Sequence, residues 1–336
     1  MKAEIKNLLL SPASLLFGTA AKARRTLYAK GFFKSNKLAA KVISVGNITV
    51  GGTGKTPLVI YIAKILAEQG EKVCILTRGY GRKNANERLL VSDGENILAN
   101  VEMSGDEPFE SAEKLLGTSA VLADKNRASA GTWAIKNLGI TAIILDDGFQ
   151  HIQLQRNLNI VCIDATNPFG NGKLLPAGIL REPLESLKRA DAIVVTRVNL
   201  IPNSKFQIPN FKFQISDYTD APIFISRNIT NRKSKIENRK CLAFCGLGNP
   251  ENFFSQLRQD NFNLVETKIF RDHHDYSQQD ADEIEHIAKM RNAEILLTTA
   301  KDAVKLRDLK FELPLEIVES ELVFDEEEGF KKLICK

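Results

Sequence analysis

Five short runs give the clearest pattern along this chain. VISVG opens one at residue 42, and KVCILT (72–77), AIILD (142–146), NIVCIDA (159–165) and DAIVVT (191–196) repeat its form. Each is a continuous apolar stretch closed at its C-terminal end by glycine, acidic or other polar residues. Runs that are apolar at every position suit strands covered on both faces, and helix-period segments such as PLVIYIAKIL (57–66) lie between them. The alternation predicts an α/β fold with a doubly wound parallel sheet, whose ligands sit beyond the carboxyl ends of the strands.

The residues after the first run add chemistry. VGNITVGGTGKTPLVIYIAKIL (45–66) is a strand, a glycine-rich turn and a helix in immediate succession. Gly51, Gly52 and Gly54 let backbone N–H groups converge on phosphate oxygens, and Lys55 adds a point charge. The Thr56 hydroxyl can reach a magnesium ion, and the helix N-terminus adds its partial positive charge. The usual pattern has a further glycine where this chain has Thr49, so residues Thr49, Val50, Gly51, Gly52, Thr53, Gly54, Lys55 and Thr56 form a variant phosphate loop. The sheet is therefore expected to be P-loop NTPase-like.

The pattern breaks between residues 199 and 240. Proline and asparagine punctuate NLIPNSKFQIPNFKFQISDYTDAPIF (199–224), and RNITNRKSKIENRK (227–240) is a charge run. A boundary here divides a P-loop domain, residues 1–220, from a second, smaller α/β domain, residues 221–336. Within the latter, RKCLAFCGLGNPENFF reads as strand, glycine turn and a helix capped by Asn249 with Pro250 in its first turn. SQQDADEIEHIAKM is a second helix, and AEILLTTAKDAVKL is a strand leading into a third.

Ahead of the first strand, an amphipathic helix is expected over about 11–35, with Ser11 as cap and Pro12 in its first turn. At about 100° per residue, Ala13, Leu16, Phe17, Ala20, Ala23 and Leu27 share one face and Lys22 and Arg25 lie opposite; Leu15 breaks the pattern. Lys22, Arg24, Arg25, Lys30, Lys34, Lys37 and Lys41 crowd this segment of a chain whose net charge is +5, which points to an anionic surface as partner. Such a helix either lies in a membrane interface or packs on its own domain, and the residues leave both open. No window approaches the roughly 18 to 20 uncharged apolar residues that span a bilayer, and no cleavage site follows a long apolar core.

Composition narrows the class further. With 43% hydrophobic and 26% charged residues in 336, the chain is an ordinary soluble globular one with a sizeable core. Its five cysteines fall mostly inside apolar runs, which favours a reduced compartment over a disulfide scaffold. Cys241 and Cys245, in a chain with four histidines, read as small core residues rather than a zinc module.

Four polar constellations sit at strand ends or in loops. Asp146-Asp147 closes AIILD, where a P-loop enzyme places its magnesium-coordinating carboxylate, with His151 on the same turn; an Asp-Asp-Gly turn without ligand is the plainer reading. Gly105-Asp106-Glu107-Pro108 says only turn or helix start. Arg271-Asp272-His273-His274-Asp275 gathers two histidines, and a histidine beside a carboxylate titrates near neutrality, as a general base requires; a solvated loop fits as well. GNGKLLPAGILREP (170–183) delivers Arg181-Glu182, which suits phosphate and metal, or equally a surface pair.

In order, VGNITVGGTGKT, LTRGYGR, GDEP, DDGFQH, GNGKLLPAGILREP, DHH and TTAKDAVKL resemble the tetraacyldisaccharide 4'-kinases of lipid A synthesis, and so does SPASLLFG near the start. The resemblance implies transfer of the γ-phosphate of ATP to the 4'-hydroxyl of a lipid A disaccharide 1-phosphate. It assigns the ATP phosphates to Thr49–Thr56 and magnesium to Thr56, Asp146, Asp147 and Glu182. Asp106 would be the base toward the sugar hydroxyl with His273 as its partner, and Lys55 would act on the transferred group. Arg78, Tyr80, Glu107, His151 and Arg181 would meet the acceptor. It also implies a peripheral enzyme whose N-terminal helix seats on the cytoplasmic face of the inner membrane, with no nucleic-acid or protein partner expected.

Two other readings remain on residues alone. A GTPase or ATPase switch of the metal-insertion or partitioning type shares TVGGTGKT, but partitioning ATPases carry a lysine near the start of the loop, where Val50 stands. A guanine site wants an aspartate where TRVN (196–199) ends in Asn199. A non-catalytic membrane adaptor would leave the phosphate loop and the paired aspartates without a task.

Overall fold

The structure, a computed structural model, describes residues 2–80, 82–201, 210, 212, 214–230 and 238–336, with residues 2–9, 11 and 29 by backbone only. A long helix, α1 (Lys2–Ala29), precedes strand β1 (Lys41–Gly46). The chain continues through α2 (Lys55–Glu68), β2 (Val73–Thr77), β3 (Leu89–Ser92), α3 (Val101–Ser104), α4 (Asp106–Lys114), β4 (Ser119–Ala123), α5 (Arg127–Leu138), β5 (Ala142–Asp146), β6 (Leu158–Asp164) and β7 (Ala192–Thr196). Later strands are β8 (Ile223–Thr230), β9 (Lys240–Cys245), β10 (Asn263–Ile269), β11 (Ile295–Thr299), β12 (Leu315–Val318) and β13 (Ser320–Phe324).

Nine strands form one sheet in the order β13-β8-β7-β6-β1-β5-β2-β4-β3. The strands from β8 to β4 run parallel, and β13 and β3 close the two edges antiparallel. β1 lies at the point where the winding reverses, with β5 on one side and β6 on the other, so the crevice for a ligand opens beyond its carboxyl end. β2, β4, β6 and β7 are buried at every position, as strands covered on both faces must be. α2 covers one face with Leu58, Val59, Ile62, Ala63, Ile65 and Leu66. The second sheet, β10-β9-β11-β12, is parallel throughout and carries Cys241 and Cys245 in its core, with all five cysteines free.

Two sequence expectations change here. The boundary does not fall at residue 221: β8 joins the large sheet beside β7, and the chain returns after β12 so that β13 pairs β8. The terminal helix Glu327–Cys335 then lays Phe330 and Ile334 into the cluster formed with α2, Phe224 and Phe324. Each such buried side chain is worth roughly 1.5 to 3 kcal/mol, which holds the C-terminus on the first domain. The second sheet, β9 to β12, thus spans residues 240–318. β8 is hidden in the sequence because its outer half, Arg227-Asn228-Ile229-Thr230, runs straight into a charged stretch.

The N-terminal helix does not begin at Ser11; it runs from Lys2 with Pro12 inside it, and a Ser11 side-chain cap lies outside the described residues. Nor is its inner face the apolar one. Ser14 donates to the carbonyl oxygen of Leu174 (3.0 Å) and accepts from the backbone N–H of Ala177 (3.0 Å). Gly18 packs closely on the end of the Leu174 side chain, whose Cδ1 would stand 2.6 Å from an added Cβ, and Arg25 reaches Glu182 at 2.7 Å. The docked stripe is therefore Ser14, Gly18 and Arg25, at helical spacing, while Leu15 (70% exposed) and Leu16 (71%) point away from the protein. Arg25, expected opposite the packing face, is drawn inward by a buried carboxylate.

Candidate active site

The phosphate loop is held from three sides. Asn47, fully buried after β1, donates to Thr53 Oγ1 at 3.0 Å. Thr196 Oγ1 at the end of β7 donates to the Thr53 carbonyl (2.9 Å), and Arg197 donates to the Gly52 carbonyl while pairing with Asp164 at the end of β6. On the third side residues 179–181 run beside the loop: Val50 N–H donates to Ile179 O (2.8 Å) and Arg181 N–H to Ile48 O (2.7 Å). Gly54 caps α2 at φ 78°, a left-handed conformation that favours glycine, and its Cβ position is 3.3 Å from Thr196. Lys55 and Thr56 are the first residues of α2, so their side chains and the free N–H groups of its first turn share one end of the helix.

The paired aspartates differ in environment. Asp147, at φ 49°, is gripped by Arg181, whose Nη1 lies 2.8 Å from both carboxylate oxygens, and by Lys55 Nζ at 3.6 Å. Burial would raise its pKa, but Lys55 and Arg181 outweigh it and hold Asp147 below the usual carboxylate range. Asp146 forms no such ion pair among the described residues. Burial, then the neighbouring charges of Glu107 and Asp147, push it up to about 6. The charges of Lys55 and Arg127 act the other way without prevailing.

Across the cleft, Asp106 opens α4. Gly105 precedes it at φ 82°, where a Cβ would stand 2.7 Å from the carbonyl oxygen of Tyr80, so this close crossing requires glycine. His273 adopts φ 58° in the loop after β10 and brings Nδ1 to 2.9 Å from Asp106 Oδ2. Lys305 Nζ approaches the same oxygen at 2.8 Å. Burial works against ionisation of Asp106, but the hydrogen bonds from His273 and Lys305 prevail and its pKa is lowered; the Asp106 contact in turn raises that of His273.

A cavity of about 920 Å³ joins these groups. It is lined by Gly51 to Thr56, Arg78, Tyr80, Glu107, Asp146, Asp147, His151, Arg181, Glu182 and His273, so most of the residues singled out from sequence meet in one place. Thr49 and Val50 are not in the lining; they brace the loop against residues 179–180. Asp106, 8% exposed, stands behind His273 rather than at the cavity wall. Glu182 is closed off differently: its Oε2 accepts from Arg25 at 2.7 Å and from Arg189 at 2.6 Å. The shared carboxylate oxygen thereby ties α1 to the segment that follows Arg181. His151 is kept neutral, its pKa lowered to about 4 by burial and by Arg127 and Arg156, and its Nε2 is buried without a partner among the described residues.

Sequence reasoning misses several groups. Buried Arg127, first in α5, donates to the Asp147 carbonyl (3.2 Å). Arg197 enters the sequence reading only within a guanine motif. Lys301 sits 3.4 Å from His273 Nε2, and it and Lys305 come from TTAKDAVKL, whose i,i+4 lysines face the same way; that spacing is the available signal.

Among the described residues no three His, Cys, Asp or Glu side chains converge to hold a metal by themselves. The donors present, Asp146 and the Thr56 hydroxyl, suit instead a magnesium ion that completes its shell with nucleotide phosphates and water.

A phosphate loop at the switch point of a parallel sheet, facing an acidic pair and a carboxylate–imidazole pair, defines a nucleotide-dependent enzyme of the P-loop class. The comparisons with known proteins specify it. A model of the family described as LpxK, tetraacyldisaccharide-1-P 4'-kinase, matches residues 6–336, and the chain belongs to that family. The tetraacyldisaccharide 4'-kinase of Halothermothrix orenii is 41% identical over 302 residues, 84% of this chain and 78% of that protein. That of Desulfotalea psychrophila is 39% identical, covering 90% and 89%. Among solved structures, LpxK from Aquifex aeolicus in complex with ATP superposes with a TM-score of 0.80 at 36% identity, covering 98% of each chain.

Proposed function

We propose that this chain is an ATP-dependent kinase that transfers the γ-phosphate of ATP to the 4'-hydroxyl of a tetraacyldisaccharide 1-phosphate, giving the bis-phosphorylated lipid A precursor. The observation that carries the reading is the cavity itself, in which the phosphate loop of one sheet faces the His273–Asp106 pair built across both. Family membership supplies the acceptor's identity.

In this reading the backbone N–H groups of residues 51–56 hold the β- and γ-phosphates, and Lys55 leaves Asp147 to follow the charge of the transferred group. Asp146 and Thr56 would hold magnesium, which when bound would supply neutralisation of charge on the phosphates. Arg181, fixed on Asp147, and Arg78 meet acceptor and phosphate charge, Tyr80 and Glu107 line the mouth of the site toward the sugar, and neutral His151 offers its Nε2 to the acceptor. The acceptor oxygen forms a bond to the γ-phosphorus as the bond to the β–γ bridging oxygen breaks; ADP leaves, and the hydroxyl proton passes to the His273–Asp106 pair.

The acceptor is a lipid, and α1 offers a route to it. No helix among the described residues is long and apolar enough to cross a membrane. Yet Leu15, Leu16, Phe32 and Phe33 are exposed, and Phe17, Arg24 and Arg25 reach the cavity. A helix docked by its small and polar stripe, with apolar side chains outward amid lysines and arginines, suits peripheral attachment to an anionic surface, the cytoplasmic face of the inner membrane. ATP consumption measured with and without the disaccharide tests the reading: the kinase consumes ATP in proportion to acceptor, and a switch ATPase does not.

A further inference from the structure

We propose that Lys305 is a positioning residue of the proton-accepting pair: reaching across from the second sheet, its ammonium pins the Asp106 carboxylate against His273, so that the imidazole receives the acceptor's proton. The inference rests on the kinase reading of this site and extends it. Its basis is geometric. Lys305 Nζ is 2.8 Å from Asp106 Oδ2, the oxygen that His273 Nδ1 also contacts at 2.9 Å. Lys305 is itself only 11% exposed at the side chain, and it donates as well to the His274 carbonyl at 3.1 Å, which ties the ammonium to the loop that carries His273.

Asp106 is thus enclosed by two donors and stands behind the cavity wall, while His273 and Lys301 form that wall. A carboxylate already bonded to an ammonium is a poor proton acceptor, whereas an imidazole that donates Nδ1–H to it presents Nε2 as the accepting nitrogen. The lysine also offsets the charge of Asp106, which would otherwise hold His273 protonated and useless as a base. Lys301, 3.4 Å from Nε2, works in the same direction.

The remaining charges around the pair are Glu107 and Glu110 on α4, Asp272, His274 and Asp275 on the His273 loop, and Arg307, which is engaged with Glu113. Of these only Asp275, 3.7 Å from Lys305 Nζ, also loses its cation when Lys305 is replaced, and its uncompensated charge acts in the same direction, so the sign of the effect is fixed. Loss of the cation favours the protonated form of both Asp106 and His273.

The test is the acid limb of the pH profile of kcat/KM, measured with ATP and the disaccharide acceptor. Lys305→Met should move that limb upward by about half to one pH unit, since the lysine bonds the carboxylate and acts on the imidazole only through it, with kcat reduced at pH 7 and recovered toward pH 9. Lys305→Arg should leave the limb near its wild-type position. Should Lys305→Met not fold, Lys305→Gln serves the same comparison. An acid limb unmoved in the neutral variant, while Asp106→Asn and His273→Ala each lose activity, overturns the role of Lys305 and leaves the kinase reading standing. If Asp106→Asn and His273→Ala also retain full activity, the site reading itself fails.

Discussion

Replacing Leu15 and Leu16 together by serine separates a membrane-facing helix from one that merely packs on its domain. In the folded protein the two leucines are 70% and 71% exposed, so little native packing is lost. Full burial of a leucine is worth roughly 1.5 to 3 kcal/mol, and about seven-tenths of that is available to lipid here, giving about 1 to 2 kcal/mol for each and about 2 to 4 for the pair. At about 1.4 kcal/mol per decade, vesicle affinity should fall about 30- to 1,000-fold. The assay is co-sedimentation with vesicles containing anionic lipid, with thermal denaturation of the same samples. ATP binding and Tm should stay close to wild type, and KM for micelle-borne acceptor should rise more than kcat falls. Unchanged vesicle affinity with a Tm lowered by many degrees would refute the reasoning and make the apolar side chains part of a packed interface. Phe17, which also reaches the cavity, is the poorer probe because its loss would mix the two effects.

The acidic groups give two further outcomes. Asp146 has its pKa raised from 3.8 to about 6, so it binds a proton more tightly folded than unfolded; its contribution to stability is full below about pH 4 and is lost as pH rises through about 6. Asp146→Asn should therefore stabilise the protein at pH 8, by up to about 3 kcal/mol at about 1.4 kcal/mol per pKa unit, and much less at pH 4.5, a difference read as Tm, while lowering activity and raising the magnesium requirement. A variant of unaltered magnesium dependence would remove Asp146 from the metal. Asp106→Ala and His273→Ala should each lower kcat by about 10² to 10⁴, and the double variant by less than the product, since groups that act as a unit are non-additive. Fully multiplicative losses would mean that the two residues act independently.

The parts of the molecule legible in the sequence are those where one local pattern decides the outcome. An apolar run buried on both faces, followed by Gly51-Gly52-Thr53-Gly54-Lys55-Thr56 and a helix, can hardly be anything but the central strand and phosphate loop, and Asp146-Asp147 ends the strand paired with it. The features that escape are set by distant partners. The inward face of α1 is chosen by Leu174 and Glu182, more than 150 residues away, which select Ser14, Gly18 and Arg25 over the apolar stripe. The two guanidinium partners of Glu182, Arg25 and Arg189, are likewise invisible in sequence. β13 pairs with β8 across the whole second sheet, a connection no local period announces. Lys305 and Arg197 are ordinary basic residues in sequence; the meeting of two sheets gives Lys305 its partner Asp106, and the convergence of β1 and β7 at one end of the large sheet gives Arg197 the Gly52 carbonyl.

The central claim is that one cavity carries phosphate from ATP to a sugar hydroxyl. The most direct measurement follows γ-labelled ATP with detergent-dispersed tetraacyldisaccharide 1-phosphate, comparing the protein with its Lys55→Ala variant and locating the label in the lipid. The account predicts label at the 4'-position, one ADP per labelled lipid, and no transfer by a Lys55→Ala variant that keeps the wild-type melting temperature. Label released as inorganic phosphate at a rate independent of the lipid, or equal transfer by the variant, would contradict it.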